Sequence, residues 1–332
     1  MSVREGGILG PFTYALVKLD DVESGVLARV VTAAPARRQA IFAALAAREI
    51  KGGDICPPDD VSTASFAEVV RHGRAMDILR HAYTDVPEGF PGLLERVGDR
   101  PLPRPCDYIA LHALAESDDA RGADALRGSG RITCRKLEVL AALDPRWRHA
   151  NTLERIDSGV EAMRFNSAIE FIQSVNSKAT DEVVADSIAR MSRSSSLPKL
   201  LDRFMRRADR LPPHPVPVAD NELRPLATMR DLLEAGRKYR NCLAHRLADI
   251  AAGKMAIAEF RGECLVEFRP LTLGVGWMLR DVHIERNNFV PVALVEEVAA
   301  KCDEIGIPRI NEAGGVDGWS SYRHFTKELE WG

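Results

Sequence analysis

The chain has 332 residues, of which 45% are hydrophobic and 28% charged, and its formal net charge at pH 7 is −3. That length exceeds one ordinary core and fits two domains, with enough apolar residues for packed interiors. The slight acidity excludes wholesale attraction to nucleic acid or anionic membrane, and no stretch approaches the ~20 continuous apolar residues of a spanning helix.

The opening Met1-Ser2-Val3-Arg4-Glu5-Gly6-Gly7 lacks a basic region followed by an apolar segment. No signal peptide is therefore expected, and the expected location is cytoplasmic. Cysteines at 56, 106, 134, 242, 264 and 302 form no CxxC pair and lack the density of a disulfide framework. They read as reduced thiols, most of them small buried hydrophobes.

The first half reads helical. Pro35 to Ile50 opens with Pro at a helix start and carries Ile41, Phe42, Leu45 and Ala46 on one face. Ser65 is a candidate cap for a helix with Phe66, Val69, Val70 and, past Gly73, Ile78 and Leu79. Similar apolar spacing predicts helices over Cys106–Glu116, Ile132–Leu143 and roughly Leu153–Val175. The Pro/Gly clusters over 87–92 and 101–105 read as turns. No fixed-period repeat supports a solenoid.

From Arg190 to Arg210, seven Lys/Arg face two Asp. Within it, Lys199, Arg203, Arg206, Arg207 and Arg210 are candidate contacts to a DNA or RNA backbone. The same pattern also reads as a solvated helix whose arginine stems cover the core edge, with Leu200, Leu201, Phe204 and Met205 as its apolar stripe. Leu211 to Pro217 then forbids a helix, and marks a boundary between an α-helical domain (1–210), a Pro-rich linker (211–225) and a last domain (226–332).

In the last domain, Thr228 is the expected N-cap of one helix reaching about Ala252, bent or weakened at Gly236. Leu232, Leu233, Tyr239, Leu243, Leu247 and Ile250 share its apolar face, with Asn241, Cys242, His245 and Asp249 on the other. Three strand-like runs follow: 254–260, 264–268 and 276–285. In the third, strict alternation sets Trp277, Leu279, Asp281 and His283 on one side and Met278, Arg280, Val282 and Ile284 on the other. A final helix spans Pro291 to Ile305. The fold class is α+β: a helical N-terminal domain, then a small α+β domain with a three-stranded antiparallel sheet and flanking helices.

Candidate chemistry gathers here. Cys242 and His245, three apart, suit a thiol with a neighbouring base, which Asp249 could orient. Glu267 and His283, on neighbouring strands, form an alternative acid–base pair with Asn287 at the strand end. A zinc site of Cys242, His245, Cys264 and His283 matches no standard spacing, so neither a metal nor a cofactor is expected. Gly314–Gly318 lacks the Lys-Ser/Thr of a phosphate loop, and the aromatic tail of Trp319, Tyr322, His324, Phe325 and Trp331 reads as a core-closing segment or a base-stacking one.

The order Pro212 to Pro217, Leu232-Leu233-Glu234-Ala235-Gly236, Asn241-Cys242, Glu267 and Asn287-Asn288 resembles the C-terminal region of PcfJ-like proteins, which are often encoded on conjugative plasmids and other mobile elements. It departs from that pattern in having Asn241 where a His usually precedes Cys, and His245 or Arg246 where a Tyr usually follows. The resemblance implies an accessory protein of a mobile element that binds nucleic acid or a protein partner. Its alternatives are a hydrolase or transferase acting on nucleic acid or a nucleotide around Cys242, and a toxin or defence component.

Overall fold

The computed structural model describes residues 8–50, 61–217, 220–271 and 276–309. The Gly-rich run at 314–318 and the aromatic tail lie outside them. The chain divides into two compact units, residues 1–170 with 180–200, and residues 171–179 with 201–332.

The first unit is helical, as expected. Its elements are α1 (Thr13–Val22), α2 (Val26–Thr32), α3 (Pro35–Ile50), α4 (Val61–His72), α5 (Ala75–Ala82), α6 (Phe90–Glu95), α7 (Pro105–Glu116), α8 (Arg121–Gly128) and α9 (Cys134–Ala142). After a short α10 (Ala150–Leu153), α11 (Gly159–Val175), α12 (Asp181–Ala189) and α13 (Leu197–Met205) follow. The division between units falls inside α11 and α13.

Helix α3 is the hub. Every residue from Ala40 to Ala47 is buried, so the helix is enclosed on all sides rather than on one face, and α2, α5, α6 and α7 pack around it. Its small alanines let those neighbours approach closely. At the start of α3, the Arg38 guanidinium donates to the carbonyls of Val30, Val31, Ala33 and Asp99. Beside it, the buried Gln39 amide donates to Gly98 and Arg100 and accepts from the Tyr108 hydroxyl at 2.6 Å. These bonds satisfy loop carbonyls that would otherwise be stranded.

Three expectations are corrected in this half. Ser65 lies inside α4, which begins at Val61, and Gly73 separates α4 from α5. The turn expected over 87–92 ends in α6, where Pro91 sits in the first helical turn. The long helix expected from Leu153 is α10 and α11, separated by residues 154–158.

In the second unit β1 (Leu223–Pro225), drawn from the expected linker, precedes α14 (Met229–Lys238), a 3-10 turn (Cys242–His245) and α15 (Leu247–Ala251). Then come β2 (Ala256–Phe260), β3 (Cys264–Pro270), β4 (Trp277–His283) and α16 (Val292–Glu304). The sheet is antiparallel in the order β1-β2-β3-β4, so it has four strands rather than three. β1 is only three residues long and ends in Pro, which only an edge strand tolerates well.

One face of the sheet builds the core with α16. Leu223, Ala256, Ala258, Phe260, Cys264, Val266, Phe268, Leu279 and Val282 meet Val298, Ala299 and Cys302 there. Within this core the Cys264 and Cys302 thiols are pushed up to about 12 by burial. The other cysteines among the described residues do not follow the expected burial: Cys106 and Cys242 are exposed and Cys134 is half-buried.

Candidate functional site

The opposite face of the sheet meets the end of α14, through Lys238 and Tyr239 on Glu259, and the 3-10 turn, through Cys242 and Leu243 beside Ile257, Leu265 and Glu267. Thr228 caps α14 as expected, its side chain accepting from the Asp231 amide at 3.1 Å. The helix runs through Gly236 and stops at Tyr239, because Arg240 adopts a left-handed conformation with φ of 48°. Asn241 is extended, and its Oδ1 accepts from the Leu243 amide at 3.1 Å, starting the 3-10 turn. The single long helix is thus broken in front of Cys242. Leu232, Tyr239, Leu243, Leu247 and Ile250 nonetheless stay buried.

A second device sets His283. β3 and β4 shift register between Glu267 and Phe268: Glu267 pairs with Asp281 and Phe268 with Leu279, which leaves Arg280 as the extra residue of a bulge. Strict alternation would send His283 to the side of Leu279, into the α16 core. The bulge turns it to the other face, opposite Leu265 and beside Glu267. The His283 Nε2 lies 3.3 Å from Glu267 Oε2, and Arg269 Nε donates to Glu267 Oε1 at 2.7 Å. Burial opposes ionisation of Glu267, but the bond from His283 and the charge of Arg269 outweigh it and hold the carboxyl below its usual range. The same bond to Glu267 lifts the His283 pKa above 6.5 against the effect of its own burial.

The chain after β4 closes the site. The Arg286 amide donates to the Tyr239 carbonyl at 2.8 Å, capping the end of α14. Arg286 and Asn287 both have positive φ, 60° and 53°, a conformation that costs a non-glycine residue roughly 1–2 kcal/mol. Asn287 itself lines a cleft here, and Arg240, with the same conformation, directly precedes Asn241 of that cleft; strained backbone gathers at functional sites.

That cleft has a cavity volume of about 90 Å³. Its polar lining is Asn241, Cys242, Arg246, Glu267, His283 and Asn287, over apolar side chains that include Leu265 and Met255. Five of the residues singled out in the sequence therefore converge: Asn241, Cys242, Glu267, His283 and Asn287. His245 and Asp249 do not line it. His245 is exposed, and Asp249 lies 3.4 Å from Arg246. The zinc set is not assembled, since Cys264 is fully buried on the opposite face of the sheet. Among the described residues no group of three or more His, Cys, Asp or Glu is arranged to hold a metal ion.

Sequence reasoning missed Arg269 and Glu259. Arg269 was legible as the residue two after Glu267 on the same strand face. Glu259 is buried on β2, where it accepts from Arg224 at 2.7 Å, Lys238 at 2.7 Å and Tyr239 at 2.9 Å. Its burial favours the neutral acid, and the three donors overcome that to depress its pKa. This network pins the end of α14 to the sheet and so holds the turn that carries Cys242.

In the basic segment Lys199, Arg203, Arg206, Arg207 and Arg210 are all exposed. Of these five, among the described residues, only Arg206 forms an ion pair, with Asp202 at 2.7 Å. Leu197, Leu200, Phe204 and Met205 are buried beneath them. A second cleft, of about 510 Å³, is lined by Arg207, Asp209, Thr228, Arg230 and Asp231. Its two arginines face two carboxylates, so it offers no net charge to a phosphate.

No protein-family model, curated protein or solved structure matches the chain.

Proposed function

We propose that the second unit is a thiol-dependent hydrolase or transferase. The observation that supports it is that Cys242, an exposed thiol, lines the same cleft as the His283–Glu267 pair. A nucleophile, a base and a group orienting that base are the parts thiol chemistry needs, drawn here from separate elements. In this reading His283 takes the Cys242 proton, the thiolate attacks an acyl carbon, and the bond to the leaving group breaks as His283 returns the proton. Water, or another acceptor, deprotonated by His283 then releases the acyl group from sulfur. Asn241 spends its Oδ1 on the Leu243 amide, which leaves its NH2 group, with the Asn287 amide, to stabilise the developing oxyanion. A volume of about 90 Å³ is far below the 300–1,000 Å³ of sites that enclose a whole ligand. The cleft accordingly takes only the reacting acyl group, rather than a nucleotide.

The test is competitive alkylation near neutral pH. Cys242 is expected to react ahead of Cys106, the other exposed cysteine among the described residues, and far ahead of Cys264 and Cys302. His283→Ala should slow Cys242 by on the order of tenfold or more and leave Cys106 unchanged. Equal rates at the two exposed thiols, insensitive to that substitution, would end the proposal.

A second reading rests on the four exposed cations Lys199, Arg203, Arg207 and Arg210, which form no ion pairs among the described residues. Together with the resemblance to PcfJ-like proteins, they support an accessory of a mobile element that binds nucleic acid. Retention on nonspecific DNA should then weaken with salt and be lost in an Arg203→Ala, Arg206→Ala, Arg207→Ala triple variant. Retention indifferent to both would count against it.

A further inference from the structure

Among the described residues that line the cleft, Arg246 is the one permanent cation. Arg269 is committed to Glu267 at 2.7 Å and to the Lys254 carbonyl at 3.2 Å, and Arg240, outside the lining, sits 3.5 Å from Glu285. Arg246 is different. It lines the cleft from the end of the turn that carries Cys242, and its one ion pair among the described residues is a long contact of 3.4 Å to Asp249. Both partners of that pair are exposed to solvent, 52% and 37%, a setting in which an ion pair holds its side chains weakly. The guanidinium is therefore free to turn to a ligand, and its planar fork matches a carboxylate. The carboxylate already in the cleft, Glu267, is neutralised by Arg269 at 2.7 Å, so it does not repel an incoming anion. Below Arg246 the floor is apolar and the volume is small, enough for a fragment of a few heavy atoms.

Resting on the thiol-enzyme reading above, we infer that Arg246 selects a small acyl substrate carrying its own carboxylate, held on the guanidinium while its acyl carbon meets Cys242. Arg246 acts here as a specificity residue and takes no part in bond making.

Two alkylating reagents of nearly the same shape test this directly: iodoacetate, which carries a carboxylate, and iodoacetamide, which does not. In each, Cys242 sulfur displaces iodide from carbon, so the chemistry is shared and only the charge differs. The ratio of iodoacetate to iodoacetamide rates at Cys242 should exceed the ratio at Cys106 in the same full-length protein. Arg246→Ala should lower the Cys242 ratio by about tenfold, Arg246→Lys should restore part of it, and the Cys106 ratio should stay constant as the internal control. A Cys242 ratio that equals that of Cys106, or is the same in all three proteins, overturns the carboxylate inference while leaving the nucleophile standing. A Cys242 that reacts with neither reagent overturns the nucleophile and the inference with it.

Discussion

His283 and Glu267 are a coupled pair with opposite titration shifts, so their contribution to stability has a defined pH window. The His283 pKa is raised above 6.5 by its bond to Glu267; its contribution is complete below the unfolded value and fades as pH rises through the folded one. Burial works against the Glu267 anion, yet its partners depress it below 4.5, so its contribution is complete above that value and is lost as pH falls through the folded pKa. Glu267→Gln should therefore destabilise most between pH 4.5 and 6.5, by about 2 kcal/mol, and less under alkaline conditions, where only the bond to Arg269 is forfeited. Denaturant titrations of both proteins across pH measure the difference; a pH-independent gap would deny the pairing. Glu259→Ala should cost about 2 kcal/mol, because it strands the buried Tyr239 hydroxyl and removes the shared partner of Arg224 on β1 and Lys238 at the end of α14, two cations that solvent still reaches. At this scale the sequence was informative about residue types, since Cys242, Glu267, His283, Asn241 and Asn287 were all named from it. It passed over Arg246 as a cleft residue, although Arg246 stands four residues after Cys242 on the same face of the expected helix.

The elements that aim these side chains are two interruptions of regular structure. The first is the stop at Arg240, a non-glycine residue in the left-handed region where helices usually place glycine. Arg240→Gly should stabilise the unit by about 0.5–1 kcal/mol, since its pair with Glu285 is largely exposed and worth little. Unchanged or reduced stability in thermal unfolding would mean that the Arg240 side chain matters more than its backbone. The second is the bulge at Arg280. Deleting Arg280 removes the extra residue yet keeps Val282 opposite Val266 on the core face and His283 opposite Leu265 on the cleft face. The effect of His283 on Cys242 alkylation should therefore survive that deletion; its loss would mean that the bulge itself shapes the cleft. Both interruptions escaped pattern reading for the same reason. Apolar spacing of 3.6 or 2 continues across them, and only the Asn241 cap signal hinted at the first. β1 escaped because three residues are too few to show a period.

At the scale of the whole chain, the helical first unit and the α+β second unit were legible from composition and periodicity. The role of α3 was not. Alanine is compatible with both solvent and core, so an Ala-rich helix with four large apolar residues read as one-sided, whereas its neighbours enclose it completely from Ala40 to Ala47. Leu45→Ala in that helix should cost about 3 kcal/mol, the usual range for a leucine removed from a closed core. A cost below 1 kcal/mol in equilibrium unfolding would contradict the hub. The cysteines divide the same way. Cys264 and Cys302 are core residues, while Cys242 alone among the described thiols stands in a cleft beside a histidine.

The joint action of Cys242 and His283 is tested most directly by the pH dependence of Cys242 alkylation in the wild-type protein and in His283→Gln. The wild-type rate should show an inflection at the raised His283 pKa, above 6.5, and Glu267→Gln should move that inflection to lower pH. His283→Gln should abolish it. Superimposable profiles for wild type and His283→Gln would contradict the site.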